Sequence, residues 1–473
     1  MNVPPRRALF YRKRGTNIYR LFFLVVMILG GVWFLRLLQQ GEVKSPFQPT
    51  PTPTRTIDSF VLEGDSHFTA GDMDAAILAY QQGARVDPNN AEVWAKLARI
   101  QTYSSALLTT DDAQRARLGE ALESATRATE VAPDDSLAHA IRAFALDWNA
   151  NPLLVDARQS GAYLTEAEQE ANRALLLDNT NTLALAFYAE ILVDQQKWTQ
   201  AEENILQALE RDPSLMDVHR VYAYVLESLG QYNQAIQEYD IAISITPNMT
   251  FLYLRAGANY RRLAFGSPNE DAARALYEKS LEYFAQAARI NEQLGVEDPV
   301  PYLSISKTYS QMGEFFIAAR NVQKALEFQP DNPDTYGQLG IIYFKSRNYE
   351  GSIPALKCAI RGCTAEESCD GRGGCGPNDT PAEVSGLALS PSTVVYYYTY
   401  GSVLAALSRP QQNYCPEALE VLGEVKAAYG SDPDIAGIVS SGEIICASLG
   451  EGRAPLATAT QAVMSEPTAT PSP

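Results

Sequence analysis

The stretch AIQEYDIAISITP, residues 235–247, decides the fold. Its set Ala235, Tyr239, Ala242 and Pro247 returns at Ala201, Ile205, Ala208 and Pro213, and at Ala318, Val322, Ala325 and Pro330. A near-identical set stands at Ala76, Tyr80, Ala84 and Pro88, and Ala167, Ala171 and Ala174 repeat it with Asn179 in place of the proline. A spacing that recurs this often is an internal repeat, and it takes precedence over every other reading of the chain. Residues 216–235, MDVHRVYAYVLESLGQYNQA, supply a preceding element in which His219, Tyr222, Ala223 and Leu226 fall at helical spacing. GQY then makes a turn. Ala223 and Ala235 are small where two helices approach closely, and Tyr222 and Tyr239 fill the space around them. Pro247 stops the second helix, because it has no amide hydrogen and disfavours helix in the residue before it.

The interval of 34 residues, the small residues and the terminal proline resemble the tetratricopeptide repeat family, over roughly residues 57–431 and about nine times. The resemblance implies an all-α fold, an α-solenoid of about nine helical hairpins. Repeats begin near Ile57, Ala91, Ser136, Thr182, Met216, Thr250, Pro299, Pro333 and Val394. Trp94, Tyr253, Tyr302 and Tyr336 take the early aromatic position, with Leu185 in the fourth repeat. Gly64, Ala98, Ala143, Ala189, Gly257 and Gly340 take the small one. Repeats two, three and six carry about eleven or twelve extra residues between their helices, close to three helical turns, so longer helices compete with loops there. Residues 361–391 are a Cys/Gly-rich insertion between repeats eight and nine. Residues 392–450 hold a degenerate ninth repeat and a final helix, 434–449, that caps the stack as arrays require.

The formal net charge is -18; residues 1–40 carry seven basic groups and no acid, which leaves -18 - 7 = -25 for the rest. Such an acidic chain argues against nucleic acid as main partner, since phosphate binding needs a basic footprint. The N-terminus reads as one transmembrane helix before the array. Residues 1–20 are a basic cytoplasmic segment, and residues 21–39 a signal anchor built on LFFLVVMILGGVWFL, with Arg36 snorkelling to the interface. The basic flank places the N-terminus inside and the C-terminal portion outside the cytoplasm. A cleaved signal peptide is the rival, but no small-x-small site follows the run. Residues 40–56 form a linker whose Pro/Thr stretch SPFQPTPTPTRT, 45–56, spans roughly 40 Å when extended. Residues 451–473, ending SEPTATPSP, are too polar to bury a core, and are expected to be disordered.

All six cysteines fall in the last third. An even count beyond an export signal favours disulfides. Cys415 begins a second helix and Cys446 ends the antiparallel helix after it, which pairs them. Cys358, Cys363, Cys369 and Cys375 then form two bridges with three connectivities open. A four-cysteine zinc site is the rival, though its ligands usually come in closer pairs. Among chemical motifs, GRGGCG at 371–376 matches a dinucleotide glycine pattern but follows no strand. The histidines are His67, His139 and His219, and the last two share the aromatic repeat position, which makes them fillers. Asn248 and Asn378 head glycosylation sequons. No cofactor or metal is expected.

In the family that the repeats resemble, first helices line a concave groove that holds a peptide. Mapped here, that groove is lined by Arg99, Tyr103, Phe144, Trp148 and Glu190, then by Arg220, Tyr224, Glu227, Arg261, Arg262, Lys307 and Lys345. The second set is mostly cationic and fits a protein or peptide partner bearing carboxylates; in the competing reading these charges merely pair with nearby Glu and Asp. The expected function is a non-enzymatic, membrane-anchored scaffold with its array outside the cytoplasm. The alternatives are a glycan- or ligand-binding envelope module that stacks sugars on Trp148, Phe144 and Tyr103, and an enzyme or redox protein that uses the cysteine loop.

Overall fold

The computed structural model describes residues 17–39, 55–376 and 379–450. The expected basic segment (save its last residues), most of the Pro/Thr linker, the Asn378 sequon and the 451–473 tail lie outside the described residues. The chain divides into two units, Met1–Arg55 and Thr56–Pro473. The first contains α1 (Ile18–Gln39), with apolar side chains exposed from Ile18 to Phe34. Among the described residues no helix is long and apolar enough to cross a membrane. The side chains of α1 are described without a break only as far as Phe34.

The second unit is built of helical hairpins. Its first helices are α2 (Ile57–Ala70), α4 (Ala91–Ser105), α6 (Ser136–Asn149), α8 (Thr182–Asp194), α10 (Met216–Ser228), α12 (Thr250–Phe265), α14 (Val300–Gln311), α16 (Pro333–Lys345) and α19 (Val394–Leu407). Their partners are α3 (Met73–Val86), α5 (Asp111–Val131), α7 (Ala157–Leu177), α9 (Trp198–Arg211), α11 (Tyr232–Ile245), α13 (Glu270–Leu294), α15 (Phe315–Phe328), α17 (Tyr349–Ile360) and α20 (Cys415–Tyr429). The short α18 (Ala365–Gly371) lies in the insertion, and α21 (Pro433–Gly450) closes the stack. The extra residues of repeats two, three and six go mainly into longer second helices, α5, α7 and α13 of 21, 21 and 25 residues, and the rest into the connections 106–110, 150–156 and 266–269 before them.

Each hairpin is held by the residues that define the repeat. Ala223, Ala235 and Ala242 are fully buried and Tyr239 is 1% exposed. Gly64 shows what the small position requires, since a Cβ there would stand 2.4 Å from the Tyr80 ring. The early aromatic position has a second duty. Trp94 donates its indole N–H to the Pro88 carbonyl at 2.9 Å, and the Tyr253 and Tyr336 hydroxyls donate to the Pro247 and Pro330 carbonyls at 2.8 and 3.0 Å. His139 and His219 place Nε2 2.9 Å from the Pro133 and Pro213 carbonyls, and their Nδ1 atoms on Glu170 and Glu238. These residues satisfy a carbonyl beyond the preceding helix end. In the fourth repeat the residue is Leu185, with no donor, and the matching Asn179 carbonyl accepts from Arg211 instead.

Core packing runs unbroken from Met73 to Ala256, and a second body of core from Leu303 to Cys446. The turn after α2 tucks under the loop before α12: a Cβ on Gly71, whose φ is +84°, would stand 2.0 Å from the Asn248 carbonyl oxygen. Thr109, before α5, accepts a hydrogen bond from Asn332, and Asp111 accepts one from Ser392 at 2.8 Å. Repeats one and two therefore touch repeats six, eight and nine across the superhelix.

All six cysteines are bonded, as Cys358–Cys363, Cys369–Cys375 and Cys415–Cys446. The last pair joins the start of α20 to the end of α21, as the antiparallel helices require. The insertion is ordered by more than its bridges. Arg372 is buried there; its Nε donates to the Tyr336 hydroxyl at 2.9 Å and its Nη2 to the Thr380 carbonyl at 2.9 Å. Gly371–Gly376 ends α18 and follows no strand, so it lacks the strand-to-helix context of a dinucleotide site.

Candidate concave binding wall

The inner faces of the first helices divide into a packed half and an open half. In the packed half the superhelix is wound tightly enough for α4 to reach α10. Arg99 forms an ion pair with Asp217 and donates from Nε at 3.3 Å, while the Tyr103 hydroxyl donates to the same carboxylate. Arg220 is 3% exposed and clamps Glu190 through both terminal nitrogens, at 2.7 and 2.6 Å. Trp148 donates to Glu190 at 3.1 Å, and the Tyr224 hydroxyl donates to Asp194. The rings fill the remaining space. Phe144 stacks on Phe187 at 4.4 Å and packs against Tyr103 at 5.2 Å, with the Arg220 guanidinium 5.3 Å from both the Tyr103 and Phe144 rings.

This corrects the groove mapped from sequence. Tyr103, Phe144, Glu190, Arg220 and Glu227 are buried, Arg99, Trp148 and Tyr224 are partly so, and none of the first five presents a surface to a partner. The sugar-stacking reading loses Tyr103 and Phe144 for the same reason. Here the bland reading of the charges holds: they pair with acids of neighbouring repeats. Spacing places a side chain on the inner face but is silent on whether the opposite wall of the superhelix comes down upon it.

Burial dominates the electrostatics of this half. Asp217 would be raised by burial, but Arg99, Arg220 and the Tyr103 hydroxyl hold it below the ordinary carboxylate range. Asp147, 2% exposed, is pushed well up by burial, then by the neighbouring Asp194 and Glu190 charges. Neither of its carboxyl oxygens finds a donor among the described residues. Asp194 is pushed up to about 7, first by burial. Two enclosed carboxyls that face each other disfavour the doubly charged state, which adds to the effect of burial on Asp147.

Glu227 marks the edge of the packed half. It accepts from Arg255 at 3.0 Å and from Asn259 at 3.1 Å, and it pairs with Arg262 at 2.5 Å. Beyond it the inner wall opens. Arg261 on α12, Lys307 on α14 and Lys345 on α16 have no carboxylate partner among the described residues. Arg261 donates to the Ser304 carbonyl at 3.2 Å, and its guanidinium lies 5.3 Å from the Phe284 ring. Lys307 is exposed on α14. Burial, then the charges of Arg261, Arg262 and Lys345, press it down to about 8, and burial with Arg262 brings Arg261 to about 10.

Stacked helical hairpins with a concave inner wall define an α-solenoid of protein-interaction type. A family model described as tetratricopeptide repeat matches residues 61–102 and 188–250, and the described array is an all-α solenoid of hairpins like those repeats. Human IFIT1, solved as a dimer with PPP-AAAA, is 15% identical over 84% of this chain and 92% of its own, with a TM-score of 0.51. The same human protein with m7Gppp-AAAA is 15% identical over 87% and 93%, with a TM-score of 0.50. A thermophilic tetratricopeptide repeat protein of Thermus thermophilus is 17% identical over 43% of this chain and 98% of its own, with a TM-score of 0.36. At such identities the likeness to IFIT1 is one of fold alone. Proteins built of these repeats are in general scaffolds rather than enzymes.

Proposed function

We propose that the protein is a non-enzymatic scaffold, anchored by its N-terminal helix with the array outside the cytoplasm, that captures protein partners on the open wall of α12, α14 and α16. The observation that carries this reading is the contrast between the two halves of the inner face. One half satisfies its charges internally, and the other leaves Arg261, Lys307 and Lys345 without acids on a strongly acidic protein. Three disulfides support an oxidising location. The 22-residue α1, with no acid in its first turn and a basic flank in the sequence, supports the anchor, although no described stretch meets the length of a span. Nucleic acid is the competing ligand, because the IFIT1 complexes hold PPP-AAAA and m7Gppp-AAAA. Against it stand the net charge of -18 and the burial of the stacking rings Tyr103 and Phe144.

A photo-crosslinking residue placed at Lys307 in intact cells should give discrete protein adducts that the same residue at Glu203, exposed on α9, does not give. Identical adduct patterns from both positions would remove the wall as the capture site. Fractionation should find the full chain with membranes and a chain lacking residues 1–39 free of them; a chain that stays bound without that segment would end the anchor reading.

A further inference from the structure

Within the compact unit Thr56–Pro473 the core is not continuous. One body of it runs from Met73 to Ala256 and another from Leu303 to Cys446. Between them lies a small patch, Leu254, Phe284 and Ala287, on which Leu107, Val300 and Ile305 pack. Leu107 brings the connection before α5 into this joint. Past Leu107, that connection and the start of α5 meet the second body through polar side chains. Asn332 caps α16 with its Oδ1 and donates from Nδ2 to the Thr109 hydroxyl. Ser392, just before α19, donates to Asp111 at 2.8 Å. Ser392 is exposed and Asp111 half-buried, so water competes for this bond.

We propose that repeats seven to nine form a jaw that pivots on the joint between α13 and α14, and that Thr109 and Asp111, bound to Asn332 and Ser392, are the clasp that holds it shut. The contacts inside the first body are of another kind: neighbouring repeats share an apolar core, and Arg220 grips Glu190 out of reach of water. The clasp is also opposed. Asp111 has no cation partner among the described residues, and the neighbouring Asp112 is engaged by Arg115. Asp334, on the second body, is pushed up first by burial and also by the charge of Asp111, so like charges work against the closed seam. Segments with few buried apolar contacts and exposed hydrogen bonds are those that open first. The inner wall straddles the pivot. Arg261, on α12 of the first body, donates to the Ser304 carbonyl of the second at 3.2 Å. Swinging the jaw parts these two groups, so the clasp sets the shape of the face to which the scaffold reading assigns capture. The jaw itself does not depend on that reading.

All six native cysteines are bonded, so introduced cysteines can be labelled selectively. Spin labels at Glu203, exposed on α9, and Glu350, exposed on α17, report the separation of the two bodies in the purified full-length chain by double electron–electron resonance. D111A and T109V each remove one acceptor. Each should raise the fraction of molecules at non-native separations about fivefold, the effect of losing one hydrogen bond, with helical circular dichroism unchanged. D111N keeps an acceptor for Ser392 and removes the like charge, so it should lower that fraction. Added salt should lower it in the natural chain, by screening, and not in D111N. Unchanged separations in both D111A and T109V overturn the proposal. So does a D111N chain as broad as D111A, or a loss of helix that accompanies the broadening. If the separations do not respond while Lys307 still crosslinks to cellular proteins, the jaw falls and the scaffold reading stands; a jaw that opens without such adducts leaves the jaw and removes the scaffold reading.

Discussion

Arg99 and Asp217 are 118 residues apart in the chain and form an ion pair that ties the second repeat to the fifth. Asp217 is 1% exposed, and it also accepts the Tyr103 hydroxyl. Asp217→Ala leaves a partly buried guanidinium and a buried phenol without their shared acceptor. Breaking a fully buried pair costs about 3–5 kcal/mol, and the partial exposure of Arg99 places this loss toward or below the lower end. The D217A chain should melt at lower temperature and scatter with a larger radius of gyration as the superhelix opens. Unchanged scattering would show that the closure does not depend on this pair.

The facing carboxyls Asp147 and Asp194 make stability depend on pH. Asp147 faces Asp194, Glu190 and Arg220; Asp194 also faces Tyr224 and Arg255. A carboxyl whose native pKa is raised keeps a proton that the unfolded chain has released. Its stabilisation is complete below the ordinary value near 3.8 and is lost as pH rises toward about 7. Asp298, raised to about 6 by burial, acts in the same direction. Acids held down in the native state, such as Asp217, oppose this only near and below the ordinary carboxylate range. The melting temperature should therefore rise on going from about pH 7.5 to about pH 5. Asp147→Asn combined with Asp194→Asn should flatten that slope; an unaltered slope would assign it elsewhere.

Cys415–Cys446 closes a loop with a sequence separation of 31. Loop-closure entropy for such a length amounts to about 3–4 kcal/mol. Cys446→Ser, made with Cys415→Ser, should release α21 from α19 and α20. Limited proteolysis should then cut first within 433–450, leaving the repeats before it intact.

Gly64→Ala tests the small position. Its new Cβ would lie 2.4 Å from a Tyr80 ring carbon, and overpacking of this kind costs about 1–3 kcal/mol. Shortening Tyr80 to leucine in the same chain should recover part of the loss, which a double-mutant cycle on thermal melts would measure. Additive losses would mean that the two positions do not meet.

The carbonyl-binding role of the aromatic position predicts a graded effect. Tyr253→Phe keeps the ring and removes the donor to Pro247, at a cost of about 1 kcal/mol. Leu185→Phe, at the repeat that has no such bond, should not show an equivalent loss from a missing donor.

The sequence by itself determined the hairpins. Ala223, Ala235 and Tyr239 act between adjacent helices, so their period marks the start of each repeat and the nature of each turn. The pairing of Cys415 with Cys446 was legible for the same reason, because consecutive antiparallel helices fix which ends meet. The anchoring of the insertion by Arg372 was not, since its partner Tyr336 lies 36 residues away and shares no repeat position with it.

Only the tertiary structure decided how the hairpins wind. A small rotation per repeat accumulates until α4 meets α10, and no neighbour-to-neighbour pattern records that sum. Inner-face residues look alike in sequence, yet winding buries Arg220 against Glu190 and leaves Lys307 exposed. The physical reason is range: packing between adjacent helices is written locally in side-chain size, whereas burial across a superhelix depends on the accumulated angle of every repeat between.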